Sequence, residues 1–235
     1  YWAGRALVDL QSGALEDSTI AFEQVLGSSE RLGDRLHEAL ALRHLWILAT
    51  LLEDFDRAAG LNERLQAMAH RDRNPRVQLS AQFTAGFAAL PDGPLAATLL
   101  ERGLELAIHT REQPTEIALR GGLSWALWQS GRHGEAEATA QTNLEALEGP
   151  LRGVGGYIGH RAGLQTVHAA WVHAGRPAAG PSHASMTRAI AVAARLGQVF
   201  SVSQPVHVWL VSELAGSGLA VVGADGKGID TELGT

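Results

Sequence analysis

The chain has 235 residues, of which 46% are hydrophobic and 19% charged, with a net charge of −6 and no cysteine. This length and apolar content suit a folded chain with a substantial core and lie outside the disordered range. The negative balance gives no general basic field for nucleic acid or an anionic membrane. The missing thiols exclude disulfides and thiolate zinc sites, and no apolar run approaches the roughly 20 residues that span a bilayer.

In chain order, the spacing of apolar residues predicts helices over 3–12, 18–31, 35–51, 55–70, 75–90, 94–110, 114–129, 133–148, 159–174, 181–196 and 204–215. Tyr1-Trp2 begins inside such a pattern, with no initiator methionine and no signal peptide, so a fragment of a longer chain is expected. Between 35 and 70 the reading is clearest. Ala39, Leu42, Leu45, Trp46, Ala49 and Leu52 share one face of the first helix, and Ala58, Leu61, Leu65 and Met68 one face of the second. No stretch alternates long enough to make a strand, so the expected class is all-α.

A helix pair of this size cannot bury both faces alone and needs neighbours like itself. The sequence supplies them. Small residues open the second helix of successive pairs at Ala58, Ala97 and Ala136, 39 residues apart at each step (58 to 97, 97 to 136), and Ser18 or Thr19 fills the same slot earlier. Ser130-Gly131-Arg132 returns as Ala174-Gly175-Arg176, with the longer step absorbed by the glycine-rich stretch 149–159. Arg31-Leu32-Gly33-Asp34 and Arg195-Leu196-Gly197-Gln198 each close a pair, where glycine takes the left-handed helix-ending conformation cheaply. Asn74-Pro75 marks a helix start, as Gln113-Pro114 and Gln204-Pro205 do more weakly.

A small residue opening the second helix after a Glu53-Asp54-Phe55 or Gly131-Arg132-His133 turn resembles the tetratricopeptide repeat. The period near 40 with Leu-Gly-Asp between pairs is similar to the variant in large bacterial regulators, such as MalT-like and other LuxR-type activators and the actinobacterial antibiotic regulatory proteins. The resemblance implies a right-handed α-solenoid of about five antiparallel pairs plus a terminal helix over 1–215. Residues 216–235, rich in glycine, read as a tail or linker. The turn glycine is replaced at Glu53 and by Pro91-Asp92-Gly93, and Gly180 fills the fifth small slot, so the match is to the architecture more than to one family.

Catalytic signatures fail on context. His37-Glu38 begins a zinc-protease motif, but Ala41 stands where the second histidine belongs. His70-Arg71-Asp72 echoes a kinase loop without the rest of that machinery, and Gly122-Leu123-Ser124-Trp125-Ala126 imitates a nucleophile elbow in the middle of a helix. Gly153-Val154-Gly155-Gly156 reads as an insertion rather than a phosphate cradle, since no strand precedes it. His160, His168, His173 and His183 share no helical turn and have no carboxylate between Tyr157 and Phe200, so no metal is expected.

In the repeat that this chain resembles, the first helix of each pair lines an inner groove. The expected lining includes Leu40, Arg43 and Ile47, then Leu79, Gln82 and Gly86, then Ala118, Gly121, Trp125 and Trp128, with Gln165 in the fifth pair. Leu40, Arg43, Gln82, Trp125, Trp128 and Gln165 are the candidate binding residues, in a mostly apolar wall with a few polar groups. The expectation is a cytoplasmic, non-catalytic binding, sensor or scaffold module without cofactor, holding a small apolar ligand, a peptide or a partner helix. An enzyme or accessory protein of secondary metabolism built on the tryptophans, and a homo-oligomerisation scaffold, are the alternatives.

Overall fold

The computed structural model describes residues 2–148 apart from positions 13 and 53. The helices expected at 159–174, 181–196 and 204–215, the stretch 149–159, the tail 216–235 and Gln165 lie outside the described residues. Among the described residues the chain is all-α: α1 (Trp2–Ser12), α2 (Leu15–Leu32), α3 (Arg35–Leu51), α4 (Phe55–Arg71), α5 (Pro75–Ala88), α6 (Gly93–Thr110), α7 (Gln113–Gln129) and α8 (His133–Glu148). Two compact units divide it, Tyr1–Arg132 and His133–Thr235, so α1–α7 belong to the first and α8 to the second.

Within the first unit each helix packs on its neighbours in sequence, and α3 also packs on α5. Connections of two to four residues force consecutive helices to be antiparallel. Side-chain contacts confirm the direction. Gln66 Nε2 donates to the Ala81 carbonyl at 2.8 Å, while Thr84 Oγ1 donates to Asn62 Oδ1 at 2.7 Å, so numbers rise along α4 as they fall along α5. The turns after α1, α3 and α5 therefore gather at one end of this unit, and those after α2, α4 and α6 at the other.

The boundaries have local causes. Asp34, Asp54, Asn74 and Asp92 each accept a hydrogen bond from a first-turn N–H, at 3.1, 3.2, 3.0 and 3.1 Å, and so cap α3, α4, α5 and α6. Gly33 ends α2 at φ 67°, with the Asp34 N–H donating back to the Ser29 carbonyl at 2.9 Å. Helix α2 starts three residues before the expected Ser18, because Glu16 and Asp17 suit the positive end of its dipole. Helix α5 stops at Ala88 rather than 90, as Asp92 N–H turns back to the Ala89 carbonyl at 2.8 Å.

Ser18, Ala58, Ala97 and Ala136, the residues of the small slot, are all buried. Ser18 shows why a hydroxyl is tolerated there, since its Oγ donates to the Ala6 carbonyl at 2.8 Å and satisfies a buried polar group across α1 and α2. Two core clusters follow: Ala6, Ala21, Phe22, Leu45 and Leu48 join α1, α2 and α3, while Ala39, Leu42, Leu65, Met68, Val77 and Ala81 join α3, α4 and α5.

Alternate helices are tied by ions. Arg57 reaches Glu23 at 2.7 Å and Arg64 reaches Glu30, both pairs separated by 34 residues. Two turns separate the arginines on α4, and two turns separate the glutamates on α2. These helices therefore run parallel in a fixed register. Arg64 also meets the buried Glu38 of α3 at 2.8 Å, and Arg35 meets the other Glu38 oxygen at 2.9 Å.

Candidate functional site

Helices α3 and α5 share an aromatic row that reaches α7 and carries the buried Arg43. Trp46 meets Phe83 edge-on at 6.4 Å, and Phe83 meets Phe87 at 4.6 Å. Phe87 in turn lies against Gly122, where an added Cβ would fall 2.5 Å from its ring. Glycine is required there by the approach of the ring rather than by backbone conformation.

Arg43 is buried with its guanidinium carbon 5.4 Å over the Phe83 ring. Its Nη1 donates to Thr115 Oγ1 at 3.3 Å and lies 3.8 Å from Glu112 Oε2. Thr115 Oγ1 donates to Glu112 Oε2 at 3.2 Å, and the other Glu112 oxygen is 3.5 Å from Arg76 Nε. Burial pushes the Arg43 guanidinium below its usual value and Glu112 pulls it back up. The sequence offered no sign of this pairing: Glu112 and Thr115 stand at the start of α7, far along the chain from Arg43.

Among the candidate residues, Leu40 is half-buried. With Leu36 and Ile47, also half-buried, it forms one stripe of α3 spaced by four and seven residues, with Arg43 at the step between Leu40 and Ile47. Arg43 is instead committed to Phe83, Thr115 and Glu112. Leu79, Gly86, Ala118 and Trp125 are buried, while Gly121 is half-buried. Gly86 faces Leu100 of α6, where an added Cβ would come within 2.6 Å. Gln82 also sits on the α6 side, near Gly103, and its Oε1 is buried without a hydrogen-bond partner. Trp128 is placed on α7 by its backbone. The structure therefore gathers Leu40 and Arg43 on α3 and sets Gln82 apart from them.

His44 adds a group that the sequence reading passed over. Its ring stacks on Phe22 at 4.6 Å and 11°, and Nδ1 donates to the Leu40 carbonyl at 2.8 Å. Burial, and then the neighbouring Arg43 charge, lower it to about 3 against the smaller opposing pull of the Leu40 carbonyl, so the ring is neutral at ordinary pH.

The near-miss motifs take structural parts. Glu38 is the buried carboxylate between Arg35 and Arg64, and His37 Nδ1 lies 2.7 Å from the capping Asp34. Asp72 accepts from the Asn74 N–H at 2.8 Å in the turn before α5. Ser124 Oγ donates to the Gly121 carbonyl at 2.8 Å within α7. Among the described residues no group of three or more histidines and carboxylates is placed to hold a metal, and no helix is long and apolar enough to cross a membrane. No protein-family model matches the chain, and no curated protein matches it.

Proposed function

We propose that this chain is a non-catalytic helical-repeat module, the sensor or scaffold region of a bacterial regulatory protein. It takes a small apolar ligand, a hydrophobic peptide or a partner helix against the half-open stripe of α3, beside the closed faces of α5 and α7. Its helix pairs would wind as tetratricopeptide-like repeats into a right-handed superhelix. The half-open stripe of Leu36, Leu40 and Ile47 carries it. This stripe lies beside a row that is already closed by Arg43, Phe83 and Thr115, so the apolar wall is held on a rigid support. A ligand seated there adds contacts between helix pairs and biases an attached output domain if two shapes of the stack differ in affinity for it.

Titration with anilinonaphthalene sulfonate tests this reading. The full chain should enhance the dye's fluorescence saturably, and Leu40→Asp, with unchanged helical content, should abolish most of that enhancement. Equal enhancement by the wild type and the Leu40→Asp chain, or none by the wild type, removes the support for an apolar wall on α3.

A further inference from the structure

A second surface lies at the end of the first unit where the α1–α2 and α3–α4 turns gather. Three large apolar residues are exposed there: Ile20 by 56%, Leu52 by 41% and Phe55 by 65%. The ion ladder fixes the level of Ile20 against the start of α4. Glu23 pairs with Arg57 and Glu30 with Arg64 at the same offset of 34 residues. One turn back along the parallel helices, that register sets Ile20 level with Asp54, the residue before Phe55. Leu52 belongs to the same turn as Phe55.

The rim of this patch is acidic. Glu16 and Asp17 stand in the first turn of α2, Asp54 caps α4, Asp56 stands in its first turn, and all four are exposed. Helix dipoles account for carboxylates at these positions. They do not account for three bare apolar side chains in their midst, which cost solubility with no gain in packing. Arg57 is the cation nearest to this rim along the chain, and its guanidinium is engaged by Glu23.

We propose that this end of the first unit docks a basic amphipathic helix of a partner protein. The helix would present leucine-like residues to Ile20, Leu52 and Phe55 and its lysines or arginines to the four carboxylates. Apolar contact supplies the anchor, and the charges supply orientation and encounter rate. The surface is separate from the α3 stripe of the proposed function and stands whether or not that stripe binds anything.

The test uses the full chain and a fluorescent synthetic helix with leucines along one face and lysines along the rest, with a glutamate-for-lysine copy as control. Anisotropy should report saturable one-to-one binding of the lysine peptide that weakens as salt is raised, and none of the glutamate peptide. The paired substitution Ile20→Ala with Phe55→Ala should weaken binding by about tenfold or more, while Ile108→Ala, in the last turn of α6 at the other end of the unit, leaves it unchanged. Ile20, Phe55 and Ile108 are all exposed, so these substitutions leave the core intact, and helical content and native mass check the folding of each variant. Unchanged binding by the paired variant, equal binding of both peptides, or no binding overturns the proposal. So does a wild-type dimer that the paired variant loses, since the patch is then a contact between copies.

Discussion

Arg43 holds its guanidinium 5.4 Å above the ring of Phe83 and, from the same position, donates to Thr115, 72 residues further along the chain. One side chain thus spans three of the odd-numbered helices. Its stem packs as an apolar group would and its head satisfies polar groups at the start of α7.

Truncating Arg43 to alanine removes this packing and strands Thr115 and Glu112 together. The expected cost is about 2 to 4 kcal/mol in urea unfolding. Arg43→Met keeps the stem and replaces a buried ion, so it should cost clearly less. Equal losses in the two variants would show that the charge, and not the stem, carries the contribution.

Helix α6 ends at Arg111 with φ 57°, the left-handed conformation that Gly33 adopts at the end of α2. The hydrogen bonds match too, since the Glu112 N–H reaches the Ala107 carbonyl at 3.0 Å as the Asp34 N–H reaches Ser29. A side chain in this conformation costs roughly 1 kcal/mol. Arg111→Gly should therefore raise stability by about that amount, and Gly33→Ala should lower it by a similar amount. A thermal melt of each variant checks the pair. A destabilised Arg111→Gly chain would mean that the arginine side chain makes up for its backbone.

Much of the fold could be read in the residues themselves. The small slots at Ala58, Ala97 and Ala136 and the Gly33 helix end depend on a few neighbouring positions, and the three alanines are buried. The Asp54 and Asp92 caps were legible only as turns, because a carboxylate before a helix looks the same as any polar loop residue until the N–H is placed. The inner wall was harder. Helical spacing places Arg43 next to the Leu40–Ile47 stripe, and only the approach of α5 and α7 decides that it turns away. Gln82 meets α6 for the same reason, as periodicity groups residues on a face without saying which neighbour covers that face.

Gly122 lets Phe87 approach α7, so Gly122→Ala forces the Cβ to within 2.5 Å of the ring. Alanine favours the helix by about 1 kcal/mol, but overpacking costs about 1 to 3 kcal/mol, and the net change should be destabilising. The doubly substituted chain Gly122→Ala with Phe87→Leu should be more stable than the sum of the two single changes, because the clash is relieved. Additive single and double changes in urea unfolding would count against this contact.

His44 makes stability depend on pH. In the unfolded chain its imidazole takes a proton near pH 6.5, whereas in the folded chain the ring stays neutral to about 3, because burial between Phe22 and α3 and the nearby Arg43 disfavour the charge. The unfolded state therefore binds more protons between these values. The stabilisation is fully present above pH 6.5 and is lost as the pH falls, by up to about 1.4 kcal/mol per pH unit. His44 as a residue is only half-buried, which makes the real slope shallower. His44→Asn keeps a donor for the Leu40 carbonyl but cannot titrate. Urea unfolding between pH 7 and 5, above the range where carboxylates add their own dependence, should show a steeper loss for the wild type than for this variant. Parallel curves would mean that His44 is protonated in the folded chain as readily as in the unfolded one.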